Sequence, residues 1–214
     1  MQEAASRPIA FSSEGLTLEG VLHQPVAVAA PFPAAAVCHP HPLYGGDMNN
    51  NVVVAVCQAL AEAGIASLRF NYRGVGRSEG KYGDGLGERA DAAAALAYLR
   101  QLAQVDQDKV GIIGYSFGAT VGLAAADERV EAVAAISTPS FGQGGPEPAI
   151  RCPTLLISGE QDEIAPAAGL SALAAMIGPH CQMSVVRGAD HFWWGYEKEL
   201  ARVVSQFLRR CLIG

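Results

Sequence analysis

Short apolar runs alternate along the chain with longer stretches whose apolar positions recur at a helical period. The runs Ala34–Cys38, Ile65–Phe70, Val110–Gly114, Val130–Ser137, Thr154–Gly159 and Met183–Val186 are mostly apolar at every position, as strands buried on both faces must be. Between them, Asn50–Ala63, Leu86–Leu102, Phe117–Ala126, Pro166–Ile177 and Gly195–Cys211 read as helices, several with a 3.6-residue apolar period. This alternation predicts βαβ units and an α/β fold: a mostly parallel, doubly wound sheet with helices on both faces. Ahead of it, Leu16-Thr17-Leu18-Glu19-Gly20-Val21-Leu22 alternates apolar and polar residues after the turn residues Ser13, Glu14 and Gly15. That predicts an N-terminal antiparallel hairpin at one edge of the sheet. Local chemistry agrees, since Asn49–Asn51 suit a helix start, Gly64 a helix stop and Pro166 an opening turn.

Composition narrows the class. With 214 residues, half of them hydrophobic and only 17% charged, the chain suits a single packed domain, 1–214, rather than a disordered one. A net charge of -6 with no compensating basic run argues against nucleic acid as a partner. The apolar stretch Val26–Cys38 is broken by Pro31 and Pro33 and is too short for a bilayer, and Met1–Ala10 does not read as a signal peptide. A cytoplasmic protein without a membrane partner, a monomer or homodimer, is the expectation. The five cysteines (Cys38, Cys57, Cys152, Cys181, Cys211) are scattered and contain no C-x-x-C pair, so free buried thiols are expected. No cofactor is expected.

The chemistry concentrates in Gly114-Tyr115-Ser116-Phe117-Gly118, which sits between an apolar strand and a helix rich in small residues. This is the context of a nucleophile elbow, where glycines flank the serine because side chains there would collide with the neighbouring strand and helix. Ser116 at the helix N-terminus also places it where free N–H groups favour negative charge on a reacting oxygen. A serine nucleophile needs a base, and the base needs an orienting carboxylate. His191, in the loop after the last strand, projects from the same sheet edge, whereas His23 lies on the hairpin and His180 beyond a helix. Asp162 is the preferred acid, with Glu160 and Glu163 as alternatives in the same loop. Asp190, next to His191, is better suited to anchoring backbone or to a surface role. The chain order Ser116, Asp162, His191 is that of the α/β-hydrolases.

An oxyanion needs two donors. The Phe117 N–H supplies one. The loop Cys38-His39-Pro40-His41-Pro42-Leu43-Tyr44-Gly45-Gly46 should supply the other, and since Pro40 and Pro42 have no N–H, His41 is the best placed, with Leu43 as runner-up. The pair His39 and His41 has no third ligand spaced to complete a metal site.

These segments, together with Arg69-Phe70-Asn71-Tyr72-Arg73-Gly74-Val75-Gly76-Arg77-Ser78-Glu79-Gly80, resemble the small, lidless bacterial α/β-hydrolases related to dienelactone hydrolases, over about Leu16 to Leu208. The resemblance implies a Ser-His-Asp triad and, for many relatives, activity on short-chain carboxylic esters. Dienelactone hydrolases proper carry Cys as nucleophile, so Ser116 weakens that substrate assignment.

Only Thr138–Arg151, rich in Gly and Pro around Phe141, Gly142, Gly144, Gly145, Pro146 and Pro148, is available for a cap. An open site follows, suited to a small-molecule acyl ester. One or more of Tyr44, Phe192, Trp193 and Trp194 are candidate pocket walls, with core packing as the competing role. Thioesterase, small peptidase and a catalytically silent binding protein remain alternatives.

Overall fold

A computed structural model describes residues 5–139 and 150–214. Eight strands form one sheet: β1 (Ser6–Ser13), β2 (Leu16–His23), β3 (Phe32–Cys38), β4 (Ala66–Phe70), β5 (Val105–Tyr115), β6 (Ala132–Ile136), β7 (Thr154–Gly159) and β8 (Cys181–Val186). Their spatial order is β1-β2-β4-β3-β5-β6-β7-β8. The first two strands form the expected antiparallel hairpin at one edge, with Ser13 opposite Leu16. β2 meets β4 antiparallel, and every pair from β4 to β8 is parallel.

Five helices cover the sheet: α1 (Asn51–Glu62), α2 (Leu86–Gln101), α3 (Phe117–Ala125), α4 (Ala167–Ile177) and α5 (Glu197–Leu212). Alternation along β3 shows why its strand reads as continuously apolar. Ala34, Ala36 and Cys38 join the core beneath α2, α3 and α4, while Ala35 and Val37 join the core beneath α1 and α5. Asn50 caps α1 by accepting from Val52 N–H at 3.0 Å, and Gly64 leaves that helix at φ 86°, where a β-carbon would be strained.

The departures from expectation lie at exposed ends. β5 begins five residues before Val110: Val105 pairs with Phe32, the register then shifts before Ala34 meets Val110, and the polar stretch between, Asp106-Gln107-Asp108-Lys109, carries no apolar signal. β8 begins two residues before Met183 and is largely exposed as an edge strand. Cys38 and Cys57 are fully buried, but Cys152, Cys181 and Cys211 are only half-buried, so the expectation of buried thiols holds for two of the five. Among the described residues no helix is long and apolar enough to cross a membrane. The proposed absence of a cap rests on Thr138–Arg151, most of which (140–149) lies outside the described residues. β6 nevertheless ends at Ile136 and β7 begins at Thr154, which leaves too little chain for a cap domain.

The topology fixes where chemistry can occur. From β3 the chain crosses by α1 to β4 on one side, and from β5 it crosses by α3 to β6 on the other. At this switch point the loops leaving β3 and β5 diverge to opposite faces and open a crevice at the carboxyl edge.

Candidate active site

Ser116 stands in that crevice, on the turn from β5 into α3. Its backbone has φ 56° and ψ -120°, a conformation costing a non-glycine residue about 1–3 kcal/mol. The turn is held by Ser116 N–H donating to Ile136 O at 2.8 Å. A β-carbon on Gly114 would strike the Gly118 backbone, and one on Gly118 would strike the carbonyls of Cys38 and His39. The glycines therefore let strand, helix and the β3 loop meet at one point.

His191 and Asp162 arrive from the ends of β8 and β7. Ser116 Oγ lies 3.0 Å from His191 Nε2, and His191 Nδ1 lies 2.9 and 3.0 Å from the two Asp162 carboxylate oxygens. Since a carboxylate only accepts, Nδ1 carries the proton and Nε2 is free to accept from the serine hydroxyl. Burial pushes the Asp162 carboxyl up, but hydrogen bonds from His191, the Ala165 N–H and Ser137 together outweigh it and hold the group below its ordinary value. The Ala165 and Ile164 N–H groups donate to Asp162 Oδ1 at 2.7 and 3.1 Å, fixing the carboxylate's orientation. The two alternatives are placed elsewhere: Glu160 accepts from Gly188 N–H at 3.0 Å, and Glu163 is exposed.

The loop bearing His191 is secured on both sides. Tyr115 Oη donates to His191 O at 2.7 Å, and burial, followed by the charges of Asp162 and Asp190, raises this phenol's pKa and keeps it a donor. Asp190 Oδ1 accepts from the N–H groups of Phe192 and Trp193 at 2.9 and 3.0 Å, the backbone role its position suggested. Asn51 Nδ2 donates to Phe192 O at 3.1 Å.

Of the two candidate second donors, Leu43 N–H is already engaged, donating to His41 Nδ1 at 3.2 Å. His41 N–H and Phe117 N–H have no partner among the described residues. His39 turns inward and is fully buried: its Nδ1 donates to Pro40 O at 2.7 Å and its Nε2 accepts from Tyr72 N–H at 3.2 Å. His39 and His41 thus serve different contacts, and among the described residues no group of three or more His, Cys, Asp or Glu side chains converges on a metal position.

Ser116 opens into a cleft of about 690 Å³ whose walls include Tyr44, Asn50, Phe117, Thr120, Pro139, Ile164 and Phe192. Tyr44 and Phe192 are therefore at the cleft as expected. Trp193 is not: it is fully buried in the core beneath α1 and α5, and its indole Nε1 donates to Ser137 Oγ at 3.0 Å. The Asp190 turn, with Trp193 at φ 61°, drives that ring inward. Trp194 is 69% exposed and does not line the cleft. Sequence reading passed over Ser137, Tyr115 and Ser158, whose hydroxyl donates to Ala165 O at 2.9 Å beside Asp162. The two serines stand at strand ends, where a serine closing an apolar run was the available signal.

Comparison with known proteins shows the family. The family model for X-Pro dipeptidyl-peptidase (S15 family) matches residues 14–144, and that for PET hydrolase-like proteins matches 90–212. An α/β serine hydrolase homologue from Coxiella burnetii is 33% identical, with a TM-score of 0.83 over 94% of this chain and 96% of that one. The chain belongs to the α/β serine hydrolases. This hydrolase is also similar to a serine hydrolase without lid from Xanthomonas campestris, at 29% identity and TM-score 0.84, covering 100% of this chain and 97% of that one. An uncharacterized protein from Rickettsia prowazekii is 35% identical over 190 residues, which is 82% of the hydrolase chain and 78% of its relative.

Proposed function

We propose that this hydrolase cleaves short-chain carboxylic esters through an acyl-enzyme on Ser116. The observation carrying the proposal is the unbroken hydrogen-bonded line from Ser116 Oγ through His191 to Asp162, ending in an open cleft. Ser116 Oγ attacks the ester carbonyl carbon while His191 Nε2 takes its proton. The carbonyl oxygen becomes an oxyanion, held by the N–H groups of Phe117 and His41, which have no partner among the described residues. The carbon–oxygen bond to the alcohol breaks, and His191 returns the proton to the leaving alkoxide. Water then attacks the acyl-enzyme, giving up a proton to His191, and the acid departs as Ser116 recovers its own. Asp162, held ionised, stabilises the imidazolium formed in both halves.

The wall of Tyr44, Phe117, Ile164 and Phe192 suits an apolar acyl or aryl group. The match to the X-Pro dipeptidyl-peptidase model favours a second reading, amide cleavage by the same residues. Matched ester, thioester and amide substrates separate the readings by kcat/KM. The decisive experiment is Ser116→Ala, which should fold as the parent does yet lose hydrolysis of short p-nitrophenyl esters and labelling by a fluorophosphonate. Retention of either overturns the proposal.

A further inference from the structure

The two residues that offer N–H groups to the proposed oxyanion also pack their side chains together. The His41 and Phe117 ring centroids are 4.6 Å apart. On its other flank the imidazole meets Tyr82, with centroids 5.2 Å apart and Tyr82 Oη 3.2 Å from His41 Nε2. Tyr82 also approaches Phe117, at 6.1 Å between centroids. Three rings from three separate segments, the loop after β3, the stretch before α2 and the first residue of α3, thus form one cluster, of which His41 and Phe117 line the cleft.

The hydrogen bonds of His41 define its proton. Leu43 N–H is a donor, so His41 Nδ1 accepts and the ring proton sits on Nε2, which donates to Tyr82 Oη. The imidazole is therefore neutral and spans two residues. Through Nδ1 it caps the short 3₁₀ turn at Pro42–Tyr44, and through Nε2 it is moored to Tyr82. His41 N–H lies between Pro40 and Pro42, which can donate no backbone hydrogen bond of their own. The loop's position is consequently set by side chains: the buried His39 at its root and His41 at its tip. Burial lowers the His41 pKa, against the pull of Glu88, which keeps Nδ1 available as an acceptor near neutrality.

We infer that the His41 imidazole and Tyr82 are positioning residues for the oxyanion hole, holding the His41 N–H at a fixed separation from the Phe117 N–H through the packed, mutually tilted rings. The inference rests on the proposed ester hydrolysis and goes beyond it, because it assigns work to side chains that neither attack nor move a proton. A donor held in place before the substrate arrives lowers the barrier without tightening ground-state binding, so the effect belongs in kcat.

The test uses three variants of the full chain and a short p-nitrophenyl ester. Tyr82→Phe keeps the ring and removes the mooring bond; kcat should fall about 3- to 10-fold with KM within twofold. His41→Phe keeps a ring in the cluster and loses both the Leu43 acceptor and the bond to Tyr82. It should lose about 10- to 100-fold in kcat, below the roughly 10²- to 10³-fold cost of removing a whole oxyanion donor. His41→Asn restores a short acceptor for Leu43 N–H and should recover part of that loss. Inhibition by butylboronic acid, whose tetrahedral adduct on Ser116 presents an oxygen to the same donors, should weaken in proportion to kcat/KM. Unchanged kcat in both Tyr82→Phe and His41→Phe, or a rise in KM alone, overturns the inference. Should His41→Phe fail to fold, Tyr82→Phe with the boronate decides it alone. A parent protein with no esterase activity would instead overturn the underlying reading.

Discussion

Trp193 Nε1 donates to Ser137 Oγ at 3.0 Å, tying the loop that carries His191 to the end of β6 beneath the cleft. Ser137 is itself fully buried, and its hydroxyl helps hold Asp162 ionised. The tryptophan next but one to the proposed base is thus a core residue that supports the site from below. Trp193→Phe should lower unfolding stability by about 1–2 kcal/mol, since a buried hydroxyl loses a donor. Trp193→Ala should cost about 3–5 kcal/mol. Urea denaturation reads both, and an unchanged midpoint for Trp193→Ala would contradict the buried placement.

His39 makes stability depend on pH. Burial lowers its pKa to about 4, opposed by the bond to Pro40 O. In the unfolded chain a histidine titrates near 6.5, so between about 6.5 and 4 the unfolded state binds the additional proton. Stability therefore falls as pH drops through that window and changes no further from this group below it. His23, lowered to about 4 by burial and the nearby Arg69, acts in the same direction. The loss from His39 between pH 7 and pH 5 should be about 2 kcal/mol. His39→Gln should be less stable at pH 7 and should show a shallower decline in the unfolding free energy measured at the two pH values. An equally steep decline would place the pH dependence elsewhere.

The parts of this fold legible in the sequence were those where packing repeats. β3, β6 and β7 are buried on both faces, so their apolar runs announce them, and the order Ser116, Asp162, His191 follows from where β5, β7 and β8 end. The rim was less visible. Residues Gln107–Lys109 of β5 and most of β8 are exposed and keep no apolar period; β8 is a strand because it pairs with β7. The direction of a side chain after a turn was also hidden. Phe192, Trp193 and Trp194 are alike on paper, but the Asp190 turn sends Phe192 to the cleft, Trp193 to the core and Trp194 to solvent. The link from Ser137 to Trp193 joins residues 56 positions apart, and only the convergence of β6 and β8 at one sheet edge brings them together.

Asp162→Asn tests the proposed division of labour between base and carboxylate. The amide is nearly the same size, but it cannot supply the charge that stabilises the imidazolium, and it allows the wrong imidazole tautomer. An ester-hydrolysis kcat lowered roughly 10⁴-fold with KM little changed is expected. Acid stability should move as well. The depressed Asp162 pKa adds stability above the unfolded carboxylate pKa, and this is lost as pH falls through the folded value. The variant should lack that portion of the acid-induced decline. A kcat within tenfold of the parent's would transfer the orienting role to another group.

Gly46 isolates the backbone of the β3 loop from its side chains. A β-carbon there would collide with the Pro40 carbonyl and stand 2.8 Å from His41 O, both backbone atoms that cannot rotate away. Gly46 N–H also donates to His41 O at 3.0 Å, closing the loop around the residue proposed as the second donor. Gly46→Ala must therefore push the Pro40–His41 peptide, and the proposed donor moves with it. Because the fold elsewhere does not depend on this contact, the expected result is a folded protein with a melting temperature a few degrees lower and kcat reduced about 10- to 1,000-fold, the range for losing an oxyanion donor in part or whole. Fluorophosphonate labelling of Ser116 should slow in parallel, since that reaction also develops charge on an oxygen in the same hole. Normal kcat in a folded Gly46→Ala protein would mean that the second donor does not come from His41.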